Sequence, residues 1–354
     1  MKPLSILSLL VVMLTACGAT TQNGNSSTND EFKFLKELGI DVNSIVKLDK
    51  EVILDYDKYP PFIMSDAQQK VLLEEVGDLY RMDEDIEGNF SILGIRALPN
   101  GQTLILYNVE FGDGASKVFA IYDKDGKTTD YMDTGYWNDT HPDESNDDYT
   151  HGTAYGDETT CSFDSPSTMK LARKYKFFEW TNNKETYEQK VVKEFWSIDK
   201  QYDYSITNEG IFQLDNITSK NVGPVDAKIA TLEEISDLNF VPSTDRSLFD
   251  RVNQLALRDD IRKEIPNENC QISYRMMGVV QDLFHSQPQR LLQWISTHRD
   301  LNKNALTGVF EACFSTGLLP KEDLIEEIDK MPQGDARRYI EELTAQWGPA
   351  DAVG

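Results

Sequence analysis

The chain has 354 residues, with 60 acidic against 35 basic side chains and a formal net charge of −25. That balance argues against nucleic acid as a partner, since binding it takes clustered Lys and Arg to displace counterions, and equally against electrostatic attachment to anionic lipid. The length suits about two domains.

In chain order, Lys2 supplies a positive start, and Leu4 to Leu14 form an apolar run broken by two serines. A permanent membrane span needs about 20 apolar residues, so this run reads as a cleavable leader over residues 1–16. It closes on Leu14-Thr15-Ala16-Cys17. That ending resembles the lipobox of bacterial lipoproteins. The resemblance implies cleavage before Cys17, lipid on its thiol and on the new amino terminus, and residence in the cell envelope. Gly18 stands where an aspartate would retain a lipoprotein at the inner membrane. The resemblance therefore implies the outer membrane, facing the periplasm, with surface exposure left open. Two or three acyl chains anchor stably, each buried methylene contributing about 0.8 kcal/mol. After Cys17, residues up to Asp30 carry no large apolar side chain, so 17–30 reads as a flexible tether with an end-to-end distance of roughly 20 Å.

Residues 31–87 read as an α-rich lead-in. Phe34, Leu35 and Leu38 share a helical face that Gly39 ends in a left-handed cap. Tyr59-Pro60-Pro61 forces extended backbone. Ser65 and Gln68 form a capping-box pattern before a helix carrying Leu72, Val76 and Leu79.

Residues 88–242 change period to that of an antiparallel β-domain. Expected strands are Phe90 to Ile95, Thr103 to Phe111, Lys117 to Asp123 and Thr128 to Trp137. After a long loop come Met169 to Trp180, Gln189 to Asp199, and Tyr202 to Leu214 interrupted at Asn208-Glu209-Gly210. The turns between them contain Pro99-Asn100-Gly101, Gly112-Asp113-Gly114 and Asn182-Asn183. The two halves share a rhythm that suits a duplicated unit, and a sandwich, a curled sheet and a partial propeller all fit the meander. Asp123-Lys124-Asp125-Gly126 imitates the start of an EF-hand loop, but the twelfth position is Thr134 instead of Glu, so it reads as a hairpin turn.

Residues 243–347 read as a helical module, followed by a tail over 348–354. Leu248, Val252 and Leu255 mark a first helix ending before Pro266, and Ile272, Met276, Val279, Val280 and Leu283 a second. Leu291, Leu292 and Ile295 follow Pro288. Ala305 to Phe314, Leu324 to Ile328 and Tyr339 to Trp347 give three more. Short amphipathic helices with Pro or Gly joints must stack in pairs to bury their stripes, which suits a helical-hairpin module. The fold class expected is thus α+β: an antiparallel β-meander domain, then C-terminal helices.

The segment most loaded with chemistry is 139–158. His141, Asp143, Asp147, Asp148 and His151 supply oxygen and imidazole donors suited to Ca²⁺ or, with both histidines, to Zn²⁺ or Fe²⁺, although a solvated acidic loop explains the same residues. No cofactor is otherwise expected. Beyond Cys17 the cysteines are Cys161, Cys270 and Cys313, of which Cys270 and Cys313 are the pair for a disulfide; three buried thiols are the alternative. His285 and His298 fall near helix ends and read as structural. Tyr107, Tyr122, Tyr131, Tyr136, Trp137, Tyr175, Trp180 and Trp196 concentrate in the β-region, where strand propensity and a sugar-stacking face compete as explanations. The leading expectation is a non-enzymatic binding or scaffolding lipoprotein that meets the membrane through its lipid and an envelope protein through its folded part. A divalent-metal protein or hydrolase using 139–158 is one alternative. A glycan-binding module using the aromatics, with Trp137 or Trp180 exposed, is the other.

Overall fold

The computed structural model describes residues 31–346, apart from 53–60, 77–80, 135–138, 146–149, 184–188, 287–290, 300–309, 311–320 and a few shorter internal stretches. The leader, Cys17, the tether, the expected helix over 305–314 (Phe310 excepted) and the tail lie outside the described residues. No described helix is long and apolar enough to cross a membrane.

The fold is α+β, with two largely antiparallel sheets followed by helices. The first sheet is built on a four-strand meander: β6 (Asn89–Ala97), β7 (Thr103–Phe111), β8 (Gly114–Tyr122) and β9 (Thr128–Asp133). The second is β10 (Asp139–Ser145), β11 (His151–Ser165), β12 (Thr168–Asn182), β13 (Gln189–Ile206) and β14 (Phe212–Val222), paired in sequence order. The expected lead-in holds α1 (Lys33–Glu37) and α2 (Asp66–Leu72), but it also lends strands to both sheets. β1 (Val46–Lys47) and β3 (Phe62–Ile63) pair with β6, and β2 (Glu51–Val52) pairs with β11. A separate hairpin joins β4 (Arg81–Met82) to β5 (Asp85–Ile86).

Side-chain alternation explains how the first sheet is buried on both faces. Leu104, Leu106, Phe119 and Ile121 point into a cluster shared with the second sheet and the helices. Their neighbours Ile105, Tyr107, Val109, Val118, Ala120 and Tyr122 point the other way, against Phe34, Leu35, Leu72 and Val76 of the lead-in. A bulge between Ile92 and Gly94 resets the phase of β6, which is why Phe90, Ile92 and Ile95 all face the lead-in while Leu93 faces the other cluster. Buried hydroxyls are satisfied in series: Tyr107 and Tyr122 share a hydrogen bond of 2.8 Å, and Tyr122 also donates to the Leu72 carbonyl at 2.6 Å. Gly39 (φ +73°) caps α1, Ser65 and Gln68 form the capping box of α2, and Gly126 (φ +86°) closes the β8–β9 turn.

After β14 come α3 (Ala227–Ser236), a 3-10 turn (Asp237–Phe240), α4 (Leu248–Ala256), α5 (Asp259–Glu264), α6 (Gln271–Ser286), α7 (Leu291–Thr297), α8 (Lys321–Lys330) and α9 (Asp335–Gln346). Buried residues from Ile235 to Ile340 join the apolar cluster of the sheets. Three expectations need correction. Residues 139–145 and 151–158 are strand, because β10 pairs with β11 and β11 with β12, a ladder that their Asp and Gly content conceals. β13 runs unbroken through 189–206, since Lys200 and Gln201 pair on both sides. The helix after Leu248 divides into α4 and α5 at Leu257-Arg258.

The sheets are joined where edge strand β9 meets β14. Thr129 Oγ1 donates to the Gly210 carbonyl at 2.8 Å, and Gly210 (φ +77°) has no room for a side chain, since a Cβ would lie 2.6 Å from that hydroxyl. Next to it Asp130, 3% exposed, accepts hydrogen bonds from the amides of Phe212 (2.8 Å) and Tyr131 (2.9 Å) and from the Thr244 hydroxyl (2.9 Å). Burial raises its pKa to about 6, the hydrogen bonds only partly opposing this. Because the folded value lies above the unfolded one, protonation favours the fold and stability falls as pH rises from about 4 to about 6, by about 3 kcal/mol at most. Urea unfolding of the wild type and of Asp130→Asn between pH 4 and pH 7 checks this. The variant is expected to lack that part of the pH dependence, and identical profiles would refute the assignment.

Candidate functional site

The residues expected to hold a metal are spread along a β-hairpin. The β10–β11 register sets His141 opposite Tyr155, whereas His151 lies four residues further along β11, about 13 Å at the usual strand rise. The two histidine positions are therefore well separated. Asp143 accepts from the Thr153 hydroxyl at 3.2 Å, and Asp147 and Asp148 lie outside the described residues. Among the described residues no group of three His, Cys, Asp or Glu side chains is placed to hold a metal ion. Cys161 is buried among apolar residues, which pushes its thiol up to about 12. Cys270 is a free, half-buried thiol 3.4 Å from Glu264 Oε2, and its expected partner Cys313 lies outside the described residues. His298 is fully buried, stacked on Trp294, with its Nδ1 2.8 Å from the Trp294 carbonyl.

The aromatics divide among several environments. Tyr107 and Tyr122 are core, and Trp180 is 3% exposed, packed with Ala154 and Phe178, against the exposure a sugar-stacking role requires of it. Tyr136 and Trp137 lie outside the described residues. Tyr155, Tyr175, Phe177 and Trp196 share one face of the second sheet, with centroid separations of 4.8–6.1 Å. Trp196 is buried and the other three are half-buried.

On the same face, between these aromatics and the apolar core, lies the densest buried electrostatic cluster of the described residues. Register places Arg173 of β12 opposite Lys200 of β13. Arg173 grips the Asp157 carboxylate through Nε (2.9 and 2.8 Å) and Nη2, and its Nη1 reaches Glu233 of α3. Lys200 donates to the Glu233 carbonyl and to Asp237 Oδ1 (2.6 Å), which also accepts from the Tyr202 hydroxyl at 2.6 Å. Burial works against the charge of Arg173, yet Glu233 and Asp157 raise its pKa overall; burial raises that of Asp237, with Lys200 opposing. The cluster clamps α3 and its 3-10 turn onto the sheet, and the Phe240 ring completes the joint by stacking on Tyr202 at 4.4 Å.

The sequence reading missed α3, although Asp226 before Ala-Lys-Ile-Ala was a readable cap: its carboxylate accepts from the Lys228 amide at 2.7 Å. Docking α3 on the sheet opens a cleft of about 380 Å³ between β14, α3, the 3-10 turn and α4. It is lined by Ile217, Leu238, Val241 and Leu255, with Glu234, Asp237, Arg251, Gln254 and Arg258 as its polar groups. The fold thus offers a concave, mixed-polarity surface suited to binding. Comparison with known proteins gives no relative: no family model, curated protein or solved structure matches the chain.

The clamp yields a stability prediction. Removing one partner of a buried ion cluster leaves charges unpaired and costs about 3–5 kcal/mol, against at most about 1 kcal/mol for an exposed pair. Arg173→Met is therefore expected to lower unfolding free energy several-fold more than Lys174→Met, whose exposed pair with Glu194 lies on the opposite face. Equal losses in urea titration would show that the buried cluster does not hold α3.

Proposed function

We propose that this chain is a lipid-anchored protein of the cell envelope that acts by binding or scaffolding. The observation that carries the reading is Leu14-Thr15-Ala16-Cys17 at the end of a short apolar leader, followed by a spacer with nothing to fold around. Lipid at Cys17 holds the protein at a membrane surface, and the acidic folded part stays in water. A net charge of −25 leaves the acyl chains as the source of membrane affinity and favours partners other than nucleic acid. For the binding half, the support is the cleft beside α3 and a few exposed apolar side chains, of which Tyr274 on α6 is 67% exposed. An envelope protein is the partner that a tether of roughly 20 Å brings within reach.

Two measurements test this. Growth with labelled palmitate is expected to label the wild type and not Cys17→Ala, which also keeps its leader and migrates more slowly; an unlabelled wild type would sink the tether. A photocrosslinking side chain at position 274 in living cells is expected to capture a defined envelope protein. A probe that captures nothing at this position would move the interaction off α6.

A further inference from the structure

The cleft beside α3 contains one cation that makes no ion pair with a described residue. Arg258 is neutralised by Glu234 and by Asp260, the latter through bonds of 3.1 and 2.6 Å. Asp237 is held by Lys200 and the Tyr202 hydroxyl. Arg251 differs. Its Nε donates to Ser247 Oγ at 3.0 Å and its Nη2 to the Leu214 carbonyl at 3.2 Å, both neutral acceptors, and it makes no ion pair with a described residue. Those two bonds fix the plane of the guanidinium and leave Nη1 uncommitted on the cleft wall. The other arginine of the cleft takes two carboxylates, so Arg251 is the cation of the lining left to neutral acceptors.

We propose that the cleft binds a small monocarboxylate with an apolar body. This names the ligand class for the binding half of the function proposed above, and it rests on that half alone. The carboxylate accepts from the oriented Arg251 fork, an arrangement stronger than a neutral hydrogen bond. The body lies against Ile217, Leu238, Val241 and Leu255. A volume of about 380 Å³ falls toward the lower end of small-molecule sites, which span about 300–1,000 Å³. Arg251 balances one negative charge and the other cation of the lining is already paired, so the second charge of a phosphate dianion finds no match. A cationic ligand meets Arg251 unopposed, while both wall carboxylates already have partners.

The test uses the full chain in detergent and isothermal titration with phenylacetate, phenylacetamide, phenethylamine and benzyl phosphate. Saturable one-to-one binding of phenylacetate is expected, with the amide, amine and phosphate at least about tenfold weaker. Arg251→Gln is expected to weaken phenylacetate about tenfold or more. Gln254→Trp, an exposed rim position that fills the cleft and leaves the Arg251 bonds alone, is expected to do the same. The proposal is overturned by absence of saturable phenylacetate binding, by equal affinity for the phosphate, or by unchanged affinity in both variants. Palmitate labelling of the same preparation separates the two ideas: a labelled chain that ignores phenylacetate loses the ligand and keeps the tether, and an unlabelled chain that binds it does the reverse.

Discussion

The position of one buried carboxylate sets how the two sheets meet. Each sheet is built on a meander of local pairings. Apart from the lead-in, which lends β1 to one sheet and β2 to the other, those pairings do not say where the other sheet must sit. Asp130 does, because its oxygens collect the amide of Phe212, 82 residues away, and the hydroxyl of Thr244, 114 residues away. A carboxylate taken out of water is tolerated only where donors surround it, and only one docking of β9 on β14 supplies them. The same logic continues along β14. Asp245 accepts from the Leu214 amide at 3.0 Å and Arg251 donates to the Leu214 carbonyl, so side chains from α4 and its approach occupy this part of the sheet edge where another strand would pair. The entry into α4 and the wall of the cleft are consequences of that edge.

The clamp on α3 and the cleft beside it are two uses of a limited supply of cations. With 35 basic side chains against 60 acidic ones, most buried or half-buried cations are drawn into ion pairs, as Arg173, Lys200, Arg299 and Arg337 are. Buried pairs of this kind contribute little net stability but severely penalise any arrangement that separates them, which makes them registration devices more than adhesives. Arg251 departs from that pattern: its partners are neutral, and it lines the cleft while Arg173 holds α3.

Local rules of the chain were legible in the sequence. The Gly39 cap, the Ser65–Gln68 capping box, the bounds of β7 and the Asp123–Gly126 turn follow from propensity and turn chemistry that neighbours a few residues away decide. Features set by distant partners were not. The two-residue strands β1, β2 and β3 exist only because β6 and β11 offer free ladder positions, and no window of sequence records that. β10 and the start of β11 looked like an acidic loop because β10 finds its partners on β11, and β11 its aromatic ones on β12. The cleft was invisible for the same reason. Ile217, Leu238 and Arg251 come from a strand, a 3-10 turn and a helix, and Arg251 is singled out only by bonds to Ser247 and Leu214 that folding creates.

The double-sided burial of β7 and β8 has a consequence for motion. Their amides sit between two apolar clusters, flanked by β6 and β9, while β14 beyond Leu214 is mostly exposed. Protection against solvent hydrogen exchange should therefore grade across the protein, deepest in those two central strands and shallowest along the free margin of the second sheet. The wall of the cleft that Ile217 contributes belongs to the shallow end. It can open and reclose without disturbing the strands that keep the molecule folded.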